Sequence, residues 1–154
     1  MKWLKLMVLT GMLSFNLARG YAQIEHPVKW GYAIKKISEN IYELHFKADI
    51  ETGWHIYSQK QPGNAVADPT KITLKKAASF TLLGKPKEVG KMEKFYNKAV
   101  DIGAYQYANS VDFVQRVKII TGNPDNFAGT ISFQTCTDKR CLPTETVAFS
   151  IQLN

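Results

Sequence analysis

Ile41-Tyr-Glu-Leu-His-Phe-Lys-Ala-Asp-Ile50 alternates without a break, with Tyr42, Leu44, Phe46, Ala48 and Ile50 on one side and Glu43, His45, Lys47 and Asp49 on the other. A repeat of two puts successive side chains on opposite faces of a pleated backbone, so the segment predicts a strand with one buried face. Val111, Phe113, Val117 and Ile119 repeat the pattern against Asp112, Arg116 and Lys118, and Val147, Phe149, Ile151 and Leu153 repeat it again. Shorter candidates are Val28–Lys36, Lys71–Leu74, Phe80–Leu83, Val100–Tyr105 and Thr130–Thr135. Gly, Pro and Asn cluster at Glu51–Gly53, Gln61–Asn64 and Thr121–Asn126, where the chain is expected to turn. No stretch carries a helical period. About seven to nine short strands predict an all-β fold, an antiparallel β-sandwich with immunoglobulin-like topology, with a small barrel as the other arrangement.

The N-terminus reads differently. Lys2 and Lys5 precede a mostly apolar run, Leu6 to Leu17, and Gly20-Tyr21-Ala22 supplies small residues at a cleavage position. The run is shorter than the roughly twenty apolar residues of a membrane span, so residues 1–22 are expected to be a secretory signal peptide. Residues 23–154 are then one domain, long enough to bury its own core. The formal charge of +7 falls by three once Lys2, Lys5 and Arg19 are removed. The remaining cations alternate with apolar residues instead of forming a stripe. That pattern fits a solvated sheet face and argues against nucleic-acid binding.

The chain has two cysteines, in Phe133-Gln-Thr-Cys-Thr-Asp-Lys-Arg-Cys-Leu-Pro-Thr-Glu145. Export places Cys136 and Cys141 where a disulfide persists. Thr130–Cys136 and Thr144–Leu153 read as consecutive strands, and a hairpin end brings two Cα atoms within bridging range. Three readings stay open at this point. As a structural staple the bridge is weak, since a six-residue ring constrains the unfolded chain by roughly 2 kcal/mol against about 4.7 kcal/mol for a hundred-residue loop. As a redox pair it gains from Lys139 and Arg140, which would stabilise a Cys141 thiolate, partly offset by Asp138. As a metal site it lacks ligands: a closed zinc site takes four, and only His26, His45 and His55 could add nitrogen. A Cys–His hydrolase would need His55 as base and has no accompanying oxyanion motif. No metal and no cofactor are expected.

Gly129-Thr-Ile-Ser-Phe-Gln-Thr-Cys-Thr-Asp-Lys-Arg-Cys-Leu-Pro143 resembles the cysteine segment of the N-terminal periplasmic domain of the thiol:disulfide interchange protein DsbD. Gly53-Trp-His-Ile-Tyr-Ser58 and Phe95-Tyr96 agree with the same family in the same order. The resemblance implies an immunoglobulin-like fold that passes reducing equivalents through a Cys136–Cys141 pair to thioredoxin-like periplasmic proteins, a chemistry that includes cytochrome c biogenesis. It implies that Cys141 forms the mixed disulfide with the partner and Cys136 resolves it. It further implies that Glu93–Asn97 is a mobile cap loop, with Phe95 as the cap and Tyr96 beside it, and that His55 and Tyr57 line the site; alternation gives those two a common face and leaves Trp54 for the core. Lys94, Asn97 and Thr144 depart from the family pattern. The chain ends at Asn154 without a membrane segment, so the electron donor is expected to be a separate membrane-bound protein. The reading from a different class is a non-catalytic β-sandwich binding or assembly module with a structural disulfide.

Overall fold

The computed structural model describes residues 25–122, 124 and 126–153. The signal peptide expected at residues 1–22 lies outside them. The elements in order are β1 (Val28–Lys36), β2 (Ile41–Ile50), β3 (His55–Tyr57), β4 (Lys71–Leu74), β5 (Phe80–Val89), β6 (Met92–Asn97), β7 (Ile102–Ala108), β8 (Ser110–Ile119), β9 (Asn126–Phe133), β10 (Thr135–Cys136) and β11 (Glu145–Gln152). They form three antiparallel sheets, ordered β1-β2-β8-β5, β11-β9-β4 and β10-β3-β7-β6. The architecture is an immunoglobulin-like β-sandwich, as the alternation predicts.

The buried face of β2 is the one read from sequence: Leu44, Phe46 and Ala48 are fully buried and Ile50 nearly so, while Tyr42 is half-buried at the strand's start. Val111, Phe113, Val117 and Ile119 on β8 join them, and β11 adds Phe149 and Ile151. The first two sheets meet through aromatic pairs, Phe46–Phe149 at 4.7 Å and Phe80–Phe127 at 5.0 Å between ring centres, both edge-to-face. That geometry sets ring edges against ring faces and adds to the area each ring buries. Trp30 on β1 reaches Phe133 on β9 at 5.3 Å and closes one side of the core.

Two positions favour glycine, one for space and one for backbone angle. Gly129 on β9 lies between β4 and β11, where an added Cβ would fall 2.2 Å from the Thr73 carbonyl oxygen and 2.6 Å from the Phe149 ring. Gly53 has φ of 85° in the turn after β2, closed by Trp54 N–H donating to the Glu51 carbonyl at 3.0 Å. Glycine takes that backbone region without steric penalty. The turn moves the chain from the first sheet to the third, so His55 begins β3 immediately after it. Asn109, at φ 64°, makes the return crossing between β7 and β8, and its carbonyl accepts from Ile50 N–H at 2.7 Å.

The third sheet carries most of the differences from the sequence reading. Met92–Asn97 is an edge strand paired with β7 from Met92 opposite Tyr107 to Asn97 opposite Ile102. The cap segment is therefore a hydrogen-bonded strand and not a loop, as its adjacent aromatics favour. Strand β5 runs six residues beyond the expected Leu83, with an irregularity between Leu83 and Lys87 that accommodates Gly84 at φ 75°. Strand β7 starts at Ile102 rather than Val100.

Candidate redox site

Cys136 and Cys141 form a disulfide with Cα atoms 4.0 Å apart. Local chemistry shapes the ring. The Thr137 hydroxyl accepts from the backbone N–H groups of Lys139 and Arg140 at 3.2 Å each, the side-chain-to-backbone bonding that lets threonine organise a turn. Thr137 N–H donates to the Arg140 carbonyl at 2.8 Å, and Leu142 N–H donates to the Thr135 carbonyl at 2.9 Å. These bonds hold the two cysteines as an antiparallel bridge.

The two sulfur-bearing residues have unequal surroundings. Cys136, on β10, is 1% exposed, whereas Cys141 is exposed. Cys141 stands at the rim of a cleft of about 390 Å³ whose apolar wall includes Val66, Ala67, Phe95, Ile102 and Ala104. His55, Tyr57, Gln134 and Asp138 supply its polar groups. The cleft draws on the third sheet, the segment after β3 and the disulfide ring.

His55 lies directly opposite Cys136 in the β3–β10 ladder and is 8% exposed. Its Nε2 is 3.2 Å from the Tyr57 hydroxyl, and the rings meet edge-to-face at 5.4 Å. Period two puts His55 and Tyr57 on one face, as the sequence indicates. Burial pushes the His55 pKa below the ordinary histidine value, and the negative charges of Asp138 and Glu93 pull the other way. Burial also raises the Tyr57 pKa. At neutral pH the pair is an uncharged imidazole beside an uncharged phenol.

Phe95 and Tyr96 separate. Phe95 pairs with Ala104 across β6–β7, lines the cleft and is 48% exposed. Tyr96 is not among the cleft's lining residues; it is exposed, and its hydroxyl donates to Asp101 Oδ1 at 3.0 Å. Adjacent residues on a strand face opposite ways, so β6 delivers one aromatic ring to the cleft and not two.

Arg140 also differs from expectation. Its guanidinium lies 5.1 Å from the Trp54 ring centre and pairs with the Glu25 carboxylate. Its charge is thus shared with a partner instead of being reserved for Cys141. Trp54 is half-buried against the core, with Arg140 over its ring. The three histidines considered as metal ligands are dispersed. His45 binds Asp112 at 2.7 Å on the outer face of the first sheet, His26 stands 3.3 Å from Glu145, and only His55 reaches the cleft.

One group escaped the sequence reading. Glu88 on β5 accepts from the Tyr107 hydroxyl at 2.6 Å, the Ser58 hydroxyl at 2.8 Å and Gln59 N–H at 2.7 Å. This carboxylate joins the first sheet to β7 and to the segment leaving β3. Nothing in a Lys-Glu-Val strand end announces it, because its partners lie about twenty to thirty residues away in sequence.

Fold and site together define a class: immunoglobulin-like domains that present a two-cysteine disulfide at the mouth of an apolar cleft. The family model described as thiol:disulfide interchange protein DsbD, N-terminal, matches residues 27–153, and the chain belongs to that family. Among solved structures, the chain is similar to the reduced DsbD N-terminal domain of Neisseria meningitidis, with a TM-score of 0.54 and 14% identity over 83% of this chain and 86% of that one. It is also similar to the N-terminal periplasmic domain of ScsB from Proteus mirabilis, with a TM-score of 0.58 and 14% identity over 83% of this chain. The match spans about half, 47%, of the ScsB chain. Likenesses at this identity establish the fold. No curated protein sequence matches the chain.

Proposed function

We propose that this protein is an exported thiol–disulfide exchange domain that passes reducing equivalents through Cys136 and Cys141 to thioredoxin-like partners in the periplasm. Family membership supports exchange chemistry. The observation that carries the assignment of roles is the unequal exposure of the two cysteines, one buried and one at the cleft mouth.

In the proposed cycle a membrane-bound donor reduces the disulfide to a dithiol. The Cys141 thiolate attacks the partner's disulfide; one partner S–S bond breaks as the mixed disulfide forms. Cys136 then attacks Cys141 Sγ, the mixed disulfide breaks, and the partner leaves as a dithiol. Two electrons pass to the partner, and the direction follows the relative reduction potentials. Phe95 caps the cleft against small thiols, His55 and Tyr57 line it, and Tyr96 secures the hairpin through Asp101. Residues 1–22 direct export, and residues 23–154 are the working domain. No cofactor takes part.

The reduction potential tests this. An exchange domain is expected between about −120 and −270 mV, whereas a structural disulfide lies below about −300 mV. A value in the lower range makes the chain a β-sandwich binding module with a staple. The Cys136→Ala variant should accumulate mixed disulfides through Cys141 in periplasmic extracts, and an empty trap would count equally against exchange.

A further inference from the structure

The buried position of Cys136 raises a chemical question that the two-cysteine cycle leaves open. To close the mixed disulfide, Cys136 must attack as a thiolate. At 1% exposure its proton has no direct route to water. Burial in apolar surroundings also disfavours the charged thiolate, so a local proton acceptor is required.

The residue opposite Cys136 in the ladder is His55. Directly opposed residues of an antiparallel pair have Cβ atoms about 4.5–5.5 Å apart and project from the same face. His55 also lines the cleft with Cys141, so one residue stands across the ladder from Cys136 and beside the site where the mixed disulfide would form. The Tyr57 hydroxyl, 3.2 Å from Nε2, orients the ring. Asp138 from the disulfide ring and Glu93 from β6 are the charged groups acting on His55, and both are acidic. Its neighbour on the other side of β3, Ala108 on β7, is apolar. The imidazole therefore stays neutral at rest, and two carboxylates favour the imidazolium once a proton arrives.

We infer that His55 is the proton acceptor for Cys136 in the resolving step. This rests on the exchange reading above. The step balances: His55 takes the Cys136 proton, the Cys136 thiolate attacks Cys141 Sγ, and the Cys141–partner S–S bond breaks. The departing partner thiolate takes the proton from the imidazolium, which restores His55. In the opposite direction His55 takes the proton of the attacking partner thiol, and the imidazolium passes it to the leaving Cys136 thiolate.

The test uses the reduced domain and 5,5′-dithiobis(2-nitrobenzoate), whose two thionitrobenzoate ions leave in sequence. Cys141 attack releases the first, and Cys136 closure releases the second. His55→Gln should lower the ratio of second-phase to first-phase rate at least tenfold between pH 6.5 and 7.5, the scale of general-base loss. The difference should shrink at strongly alkaline pH, where hydroxide competes with the imidazole as base. His55→Phe, which keeps an aromatic ring but no base, should behave as the glutamine variant does; circular dichroism and cooperative unfolding check that both variants fold. Equal second phases with equal pH profiles in wild type and both variants would overturn the role of His55 and leave exchange intact. A wild type that releases no second ion would instead remove the exchange reading, and this inference with it.

Discussion

Phe95→Ala removes the ring that edge strand β6 contributes to the cleft wall. A phenylalanine side chain offers roughly 150–250 Å² of surface, and Phe95 is 48% exposed, so about 100 Å² is covered. At about 25 cal/mol per Å², seating the ring contributes up to roughly 2.5 kcal/mol. Ordering the side chain offsets about 0.5–1 kcal/mol, leaving a closing free energy near 1.5–2 kcal/mol. If a small thiol reaches the disulfide only when the ring is displaced, loss of the ring should speed its attack by roughly 10–30-fold. The assay follows reduction of the oxidised domain by dithiothreitol under pseudo-first-order conditions. Tyr96→Ala is the control, because Tyr96 is absent from the cleft lining and should leave the rate unchanged. A Phe95→Ala rate within about twofold of wild type would remove the cap from the mechanism. Equal acceleration by both variants would mean that β6 as a whole shields the sulfur and that the ring does not.

Further outcomes follow from single positions. Gly129→Ala puts a methyl group 2.2 Å from a backbone oxygen on β4, and it should destabilise the fold by about 3 kcal/mol in urea unfolding, at the upper end of overpacking costs. Tyr107→Phe deletes the 2.6 Å bond to Glu88 and should remove about 2 kcal/mol, the scale of a hydrogen bond to a charged group. Because the Tyr107 pKa is raised in the native state, the folded form holds that proton longer than the unfolded form. Its stabilisation should therefore be complete below pH 10 and decline above it, and Tyr107→Phe should flatten that alkaline decline. The His55 pKa is lowered in the native state, so the unfolded chain binds the extra proton. Stability should fall as pH drops through the ordinary histidine range near 6.5, and the difference in urea midpoints between wild type and His55→Gln at pH 5.5 and 7.5 should reveal that slope.

The sandwich was readable because burial imposes alternation on long strands. The faces of β2, β8 and β11 follow directly from their apolar residues, and only Gln115 interrupts β8 from within. That glutamine is buried at an apolar register position because its amide donates to the Gly84 and Arg116 carbonyls, at 3.2 and 2.7 Å. The cleft was legible in part. The cysteines stand out by residue type, whereas His55, Tyr57 and Phe95 could be named as site residues through the family resemblance of their short motifs. The strand character of Met92–Asn97 was hidden, since all six of its residues are exposed and an edge strand needs no apolar stripe. Arg140's attachment to Trp54 and Glu25, and the Glu88 junction, arise from contacts distant in sequence that no local pattern encodes. Val66 and Ala67 reach the cleft only through the long excursion between β3 and β4.

The short ring between β10 and β11 is tied by amide hydrogen bonds on both flanks, at Thr137–Arg140 and Leu142–Thr135. Those ties do not depend on sulfur. If the bridge opens as proposed, the thiols should stay neighbours instead of drifting apart with a slackened loop, and re-forming the bond would begin from a nearly assembled pair. The reduced domain would then keep the backbone shape of the ring while it waits for its next partner.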